Sequence, residues 1–150
     1  MRSAIFCLVL ALSSASRVAP AARVRQAGAL LKATIAYSCA PWDGTAFTTT
    51  VPAAALAGGS KDAVISISIW QAPAFKDTVS FHFPDRDMKT GSAFYFDGKA
   101  PGVELSGRVT FQRVVADSLV RGDFDLVSAS GVYYRARFEA AWSQLRALCG

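Results

Sequence analysis

The sequence predicts an all-β protein, an antiparallel β-sandwich of seven or eight strands whose C-terminus is tied down by a disulfide bond. From Lys32 onward, apolar residues alternate with polar ones at period two, and no helical periodicity competes before the last dozen residues. Clusters of Gly, Pro, Asp and Ser separate the alternating segments. The pattern also suits a closed up-and-down barrel, which is the alternative architecture.

The individual strands follow from the alternation. Val64 to Trp70 alternates isoleucine with serine, and Thr78 to Phe83 places valine and phenylalanine on one face. Ala40 to Asp62 is rich in turn residues, with a short strand expected around Phe47 to Val51. Ser143 to Leu148 is expected to turn helical. The other expected strands are Thr34 to Cys39, Ala93 to Asp97, Val103 to Val114, Leu119 to Val127 and Val132 to Trp142.

The charges on the last two strands predict how these strands pair. Placing Phe124 opposite Ala136 creates three opposite-charge pairs on the solvent face, whereas a slip of two residues either way creates like-charge pairs. The same register leaves Ala129 to Gly131 as a three-residue loop that ends in glycine, as such hairpins favour. Arg108 would then face Asp123 or Asp125. The three expected pairs are Asp125 with Arg135, Asp123 with Arg137, and Arg121 with Glu139.

The N-terminus is typical of a secretory signal peptide, assigned to residues 1–21. Arg2 precedes the apolar run Ala4 to Leu12, and small residues follow that allow cleavage after Ser16 or Ala21. The run is too short for the ~20 residues of a membrane-spanning helix, so no transmembrane segment is expected. We expect a flexible segment at residues 22–31, a single β domain at residues 32–150, and an extracytoplasmic protein, secreted or periplasmic.

Cleavage would remove Cys7 and leave Cys39 and Cys149. In an oxidising compartment these two cysteines are expected to form a disulfide bond. Closing so long a loop stabilises a fold by roughly 4 to 5 kcal/mol through loss of chain entropy in the unfolded state. Two cysteines with the single histidine of the chain do not supply a tetrahedral zinc site, so no metal is expected.

Composition narrows the function classes. A chain of 150 residues has the size of one domain, and 52% apolar with 18% charged residues indicates a folded protein. The net charge of +5 comes from scattered basic residues and not from a stripe that would neutralise phosphates, so no nucleic-acid partner is expected. No cofactor motif is present in the sequence.

Val64 to Trp142 resembles a family of small bacterial secreted or lipoprotein β domains of unknown function. The resemblance implies an extracytoplasmic β-sandwich and carries no catalytic residues. The chain departs from lipid-anchored members because it lacks a usable lipid-attachment cysteine. The segments that carry the resemblance are Val64 to Ile69, Thr90 to Phe94, Ser106 to Phe111, Val120 to Phe124, and a closing strand with Phe138 and Ala140.

Chemically reactive residues offer only a weak case for an enzyme. His82 lies near Ser80 and Asp85, and a hydrolase using His82 as general base is the third function hypothesis. The sequence has no nucleophile-elbow motif, and two residues along one strand face separate Ser80 from His82 by ~6 to 7 Å. Asp85 and Asp87 are spaced as in some calcium loops, but Arg86 and Lys89 intrude. We therefore expect no catalytic residues.

Aromatic residues suggest a binding surface instead. Trp42, Tyr95 and Tyr133 fall in a turn or on faces opposite their apolar neighbours, where they would stack against a sugar or a peptide. The leading hypothesis is a secreted, non-enzymatic β module that acts as an envelope, adhesive or ligand-binding component. A small carrier of apolar ligands with a cavity inside a barrel is the alternative. The expected partner is a sugar, a peptide or a cell-surface component.

Overall fold

The computed structural model describes residues 23–26, 30–42, 44–56, 60–70, 75–85, 89–98, 101–144 and 149. Within these ranges the chain forms nine β-strands and no helix, which confirms the all-β prediction. The predicted signal peptide and residues 145–148 of the expected helical tail lie outside them. The strands are β1 (Arg23–Gln26), β2 (Leu31–Cys39), β3 (Thr45–Pro52), β4 (Val64–Ile69), β5 (Val79–Phe83), β6 (Gly91–Phe96), β7 (Val103–Arg113), β8 (Val120–Ser128) and β9 (Val132–Trp142).

Seven of the strands close into a ring, which is the barrel alternative of the sequence analysis. The order is β2, β3, β4, β6, β7, β8 and β9, after which β9 pairs with β2 again. Neighbours in the ring are antiparallel except β2 and β9, which are parallel. An odd number of alternating strands brings the first and last strands together in the same direction, so this closure follows from the strand count.

β1 and β5 lie beside strands of the ring and extend their pairing. β1 pairs with residues 132–135 of β9, and β2 pairs with residues 138–142, so both run along the edge of β9 that β8 does not use. Arg23–Gln26 of β1 thus belong to the segment, residues 22–31, that the sequence analysis expects to be flexible. The first residues of β9 lie beyond the start of β2, and their backbone groups pair with β1. In the same way, β6 and β5 share one edge of β7.

Aromatic side chains fill the barrel interior. Phe111 is fully buried, and its ring centroid lies 5.4 Å from Phe47 and 5.7 Å from Phe138, both in edge-on contact. Phe81 of β5 adds a further edge-on contact at 6.1 Å. Isoleucines of β4 and alternate residues of β8 and β9 complete this core. The interior around Phe111 is thus occupied by side chains of the protein itself.

The β8–β9 hairpin has the predicted register. Phe124 lies opposite Ala136, and the three expected charge pairs face each other along the two strands. Arg135 donates to the Asp125 carboxylate at 2.5 Å, and Arg108 of β7 lies opposite Asp125 on the other side. Gly131 closes the loop with φ of 77°, the left-handed conformation that favours glycine. Charge pairing and turn chemistry together were sufficient to predict this register.

A disulfide bond joins Cys39 at the end of β2 to Cys149, as predicted, with 5.5 Å between the Cα atoms. The two residues are separated by 110 positions, so the bond encloses almost the whole described domain. Backbone pairing continues toward it, since the Ser143 amide donates to the Ile35 carbonyl at 2.7 Å. Among the described residues, no helix has the length and apolar character needed to cross a bilayer.

Glu139 connects three strands through its carboxylate. Lys32 of β2 donates to one oxygen at 2.7 Å, and Arg121 of β8 donates to the other at 2.9 Å. The Arg121 contact follows from the predicted hairpin register, whereas Lys32 is brought there by the parallel pairing of β2 with β9. The hydrogen bond from Lys32, followed by that from Arg121, lowers the pKa of Glu139 below its ordinary value.

The lowered pKa of Glu139 predicts a pH dependence of stability. Because the folded pKa lies below the unfolded one, the carboxylate stabilises the fold fully above the unfolded pKa and progressively less as pH falls through the folded pKa. We expect Glu139→Gln to be less stable than wild type at pH 7 and for the difference to shrink toward acidic pH. Urea unfolding between pH 7 and pH 2 measures it. Glu104→Gln, at an exposed position of β7, is the control. A pH-independent difference would contradict the prediction.

Candidate binding groove

The two ends of the barrel differ in what covers them. One end, here called the disulfide end, carries the β2–β3 turn, the β7–β8 loop (residues 114–119) and the segment after β9 with Cys149. The other, here called the hairpin end, carries the β8–β9 loop and the connections from β3 to β4 and from β6 to β7. Chain connectivity and the disulfide bond therefore concentrate non-strand segments from distant parts of the sequence at the disulfide end.

A half-open groove lies at the disulfide end. It has a cavity volume of about 590 Å³, within the range of small-molecule sites in proteins. The β7–β8 loop and the segment that follows β9 form its walls. The described part of its lining combines aromatic, aliphatic and uncharged polar side chains with the carboxylate of Asp117. The lining residues are Tyr37, Ala116, Asp117, Ser118, Leu119, Ala141, Trp142, Ser143 and Gln144.

Tyr37 and Trp142 form the aromatic part of the groove. Strand pairing places Tyr37 opposite the buried Phe47 and Trp142 opposite the buried Ile35, so both continue the inward-facing rows of the barrel. At this open end of the barrel, the side chains of Tyr37 and Trp142 are only half-buried. The two ring centroids lie 4.7 Å apart with an interplanar angle of 34°. The groove thus has an aromatic surface built on rigid strands.

The β7–β8 loop is fixed to Trp142 through the Val115 carbonyl. This oxygen accepts from the Trp142 indole Nε1 at 2.8 Å and from the Ser118 hydroxyl at 2.7 Å. Asp117 adopts φ of 60°, a left-handed conformation that aspartate tolerates better than most residues. Leu119 follows with 59% of its surface exposed. The loop therefore holds a carboxylate and an exposed aliphatic side chain at the groove in a defined turn.

Two constraints position the opposite wall. The Ser143 amide bonds to Ile35 of β2, and the disulfide bond returns the chain to the end of the same strand. Ser143, which makes the first attachment, and the following Gln144 line the groove. The disulfide bond provides a second attachment to β2 further along the chain.

The three aromatic residues predicted as a stacking surface are not brought together. Trp42 is 51% exposed at the disulfide end, with its ring 5.7 Å from Trp70 in an edge contact. Tyr133 is 38% exposed on β9 at the hairpin end. Tyr95 lies on the face opposite Phe94 and Phe96, as predicted, but this is the inward face that it shares with Ala93. Its ring stacks on Tyr134 at 5.1 Å and packs against the core. They lie at different ends or on different faces.

The residues considered for hydrolysis have structural contacts instead. His82 is exposed on the outer face of β5, opposite Arg108 of β7. The Ser80 hydroxyl bonds to Thr110 across the strands at 2.9 Å. Asp85 accepts from the backbone amides of Lys89 at 3.1 Å and Thr90 at 2.7 Å, and also from the Thr90 hydroxyl, so it organises its own turn.

Metal binding has no support in the described part of the chain. The described residues include no group of three or more His, Cys, Asp or Glu side chains arranged to hold a metal ion. Asp87, the second carboxylate of the calcium-like loop, lies outside them.

Sequence reasoning did not single out the groove residues. Tyr37 and Trp142 read as ordinary strand positions, because their location at an open barrel end depends on the β2–β9 closure. The sequence pattern places Asp117 in a polar turn and Leu119 at the start of a strand. A usable signal was present in Trp142, which ends the last strand just before the segment that leads to Cys149.

Comparison of the chain with models of known protein families, with curated proteins and with solved structures finds no match. The resemblance of Val64 to Trp142 to secreted bacterial β domains therefore stays a prediction. Inferences about function rest on the groove itself.

Proposed function

We propose that this protein is an extracytoplasmic, non-enzymatic binding module that holds a small molecule in the groove at the disulfide end. The observation that carries the proposal is the half-open groove of about 590 Å³ with an aromatic surface fixed on two strands. Pre-formed sites with apolar surfaces and a few positioned polar groups are typical of ligand binding. The disulfide bond and the signal-like N-terminus support an oxidising, extracytoplasmic location.

The surroundings of the groove favour binding over catalysis. Asp117 carries the carboxyl group and Tyr37 the phenol among the described lining residues. His82, which was considered as a general base, lies on β5 and does not line the groove. A nucleophile with an adjacent base, which covalent hydrolysis needs, is not found among the described lining residues. Among the described lining residues, the groove therefore has groups that can orient a ligand but no nucleophile paired with a base.

The filled interior argues against a carrier with a ligand inside the barrel. Phe47, Phe111 and Phe138 meet at the centre, where such a carrier would need an open cavity. A ligand at the open end requires no displacement of these rings. The exposed Leu119 at the rim provides apolar surface that a ligand would cover.

The proposal predicts where small molecules bind. When a mixed fragment library is titrated into ¹⁵N-labelled protein, we expect chemical shift changes at the amides of Ser118 and Leu119 and at the indole N–H of Trp142. Leu119→Arg is expected to weaken these hits at least about tenfold by filling the groove with a long charged side chain. The measurement is a series of heteronuclear correlation spectra.

Val103→Arg is the matched control for Leu119→Arg, because Val103 is also an exposed aliphatic residue but lies near the hairpin end. It should leave the fragment affinities unchanged. Hits that cluster around Tyr133 instead of Trp142, or hits that Leu119→Arg does not weaken, would overturn the assignment of the site.

A further inference from the structure

The charge of the groove points to a class of ligand. We propose that the groove selects a small organic cation, namely an alkylammonium group, which contacts the Tyr37 and Trp142 rings and is paired with the Asp117 carboxylate. This inference rests on the proposed function, since it names the ligand class for the same site.

Asp117 contributes a negative charge to the groove lining. Among the lining residues that the structure describes, it is the one acidic side chain, and these described residues include no lysine, arginine or histidine. An anionic ligand would meet a like charge there with no cation to offset it, whereas a cation would gain an opposite charge. The lining thus favours positively charged ligands although the whole chain has a net charge of +5.

The aromatic pair supplies the second component of cation recognition. Tyrosine and tryptophan rings attract a cation placed over their faces within about 6 Å of the ring centroid, and alkylammonium ligands are commonly bound in this way. The Tyr37 and Trp142 centroids are 4.7 Å apart, so the two rings form one aromatic patch in the lining. The bond from Trp142 to Val115 keeps the indole in place before the ligand arrives.

The polar remainder of the lining fits the same ligand class. Ser118 and Gln144 carry neutral groups that can bond to a hydroxyl or an ester on the ligand without adding charge. Leu119 adds aliphatic surface for the methyl groups of the cation. A neutral polyol could use the same polar groups, but it would gain nothing from the charge of Asp117, and this difference can be measured.

The test compares a cation with its neutral isostere. Choline and 3,3-dimethylbutan-1-ol have the same shape, and only choline is charged. Each is titrated into the full folded protein with the Trp142 indole N–H shift as readout. We expect choline to bind at least about tenfold more tightly than the isostere, as loss of a cation–π contact and an ion pair implies.

Two aspartate variants isolate the charge. Asp117→Asn keeps a residue that tolerates the left-handed conformation and should weaken choline binding about tenfold while leaving binding of the isostere unchanged. Asp62→Asn, at an exposed position near the hairpin end, should change neither.

Phosphocholine distinguishes two sources of the same cation. Weaker binding of phosphocholine than of choline indicates that the ligand is a free alkylammonium ion. Equal or tighter binding of phosphocholine indicates a lipid headgroup.

The outcomes separate this inference from the proposed function. Equal binding of choline and its isostere at the groove, or choline binding that survives Asp117→Asn unchanged, would overturn the cation while leaving the groove as a binding site. The same holds if neutral fragments shift the Trp142 indole and choline does not. If no molecule of any class shifts that indole, both proposals fail together.

Discussion

Replacing Phe111 by alanine is expected to destabilise the protein by roughly 3 to 5 kcal/mol. Its fully buried ring contacts Phe47, Phe81 and Phe138 at centroid distances of 5.4, 6.1 and 5.7 Å, so its removal leaves a void at the centre of the barrel. These neighbours belong to two strands of the ring, β3 and β9, and to β5 beside it, and strand pairing limits how far they can collapse into the void. Urea unfolding followed by tryptophan fluorescence gives the free energy of unfolding.

The control for Phe111→Ala is Phe96→Ala, which removes the same atoms from a ring that is 36% exposed at the end of β6. We expect a clearly smaller loss there, because less apolar surface leaves water at that site on folding. A loss at Phe111 no larger than that at Phe96 would mean that the barrel interior is not packed around this ring. That result would restore the hypothesis of a carrier with an internal cavity.

The parts of the fold that sequence reasoning predicted are those encoded locally. Period-two alternation located eight of the nine strands, and the charges of Asp123, Asp125 and Arg135 on neighbouring strands, with Gly131 in the turn, determined a hairpin register. The paired charges of this hairpin lie 10, 14 and 18 positions apart in the sequence. The possible registers of two strands joined by a short loop can be compared one by one, and the shifted registers of this hairpin place like charges opposite each other.

The closure of the barrel could not be predicted in the same way. It depends on β2 pairing with β9 about a hundred positions later, and the alternation of Leu31, Ala33 and Ile35 fits a sandwich as well as a barrel. Lys32 could have paired with several carboxylates before that register was known. β1 was missed because four residues next to an apparent cleavage site give too short a pattern to recognise.

The groove was missed for a related reason. Its lining comes from β2, the β7–β8 loop and the end of β9, which meet only after the ring closes. Sequence analysis ranked aromatic residues by their turn context or by strand face, and so selected Trp42, Tyr95 and Tyr133. An inward-facing aromatic at the last position of a barrel strand is half-buried, and period-two analysis classifies such a residue as core.

The double substitution Cys39→Ser and Cys149→Ser is expected to lower the free energy of unfolding by about 4 to 5 kcal/mol. The two cysteines are separated by 110 positions, and the loss of so long a closed loop increases the chain entropy of the unfolded state by an amount of that size. Serine is close to cysteine in volume, so the change mainly removes the covalent link. Chemical denaturation of the variant and of oxidised wild type gives the difference.

Reduced wild type is the control for the double substitution, since it keeps both cysteine side chains and lacks only the bond. Its stability should match that of the double variant. Hydrogen exchange adds a local readout, because the Ser143 amide that donates to Ile35 should exchange faster in both, by a larger factor than the amides of β8. A loss below about 1 kcal/mol would mean that the unfolded chain gains little freedom from the break. Uniformly faster exchange across β8 and Ser143 would show that the bond acts on the whole fold and does not specifically hold the wall of the groove.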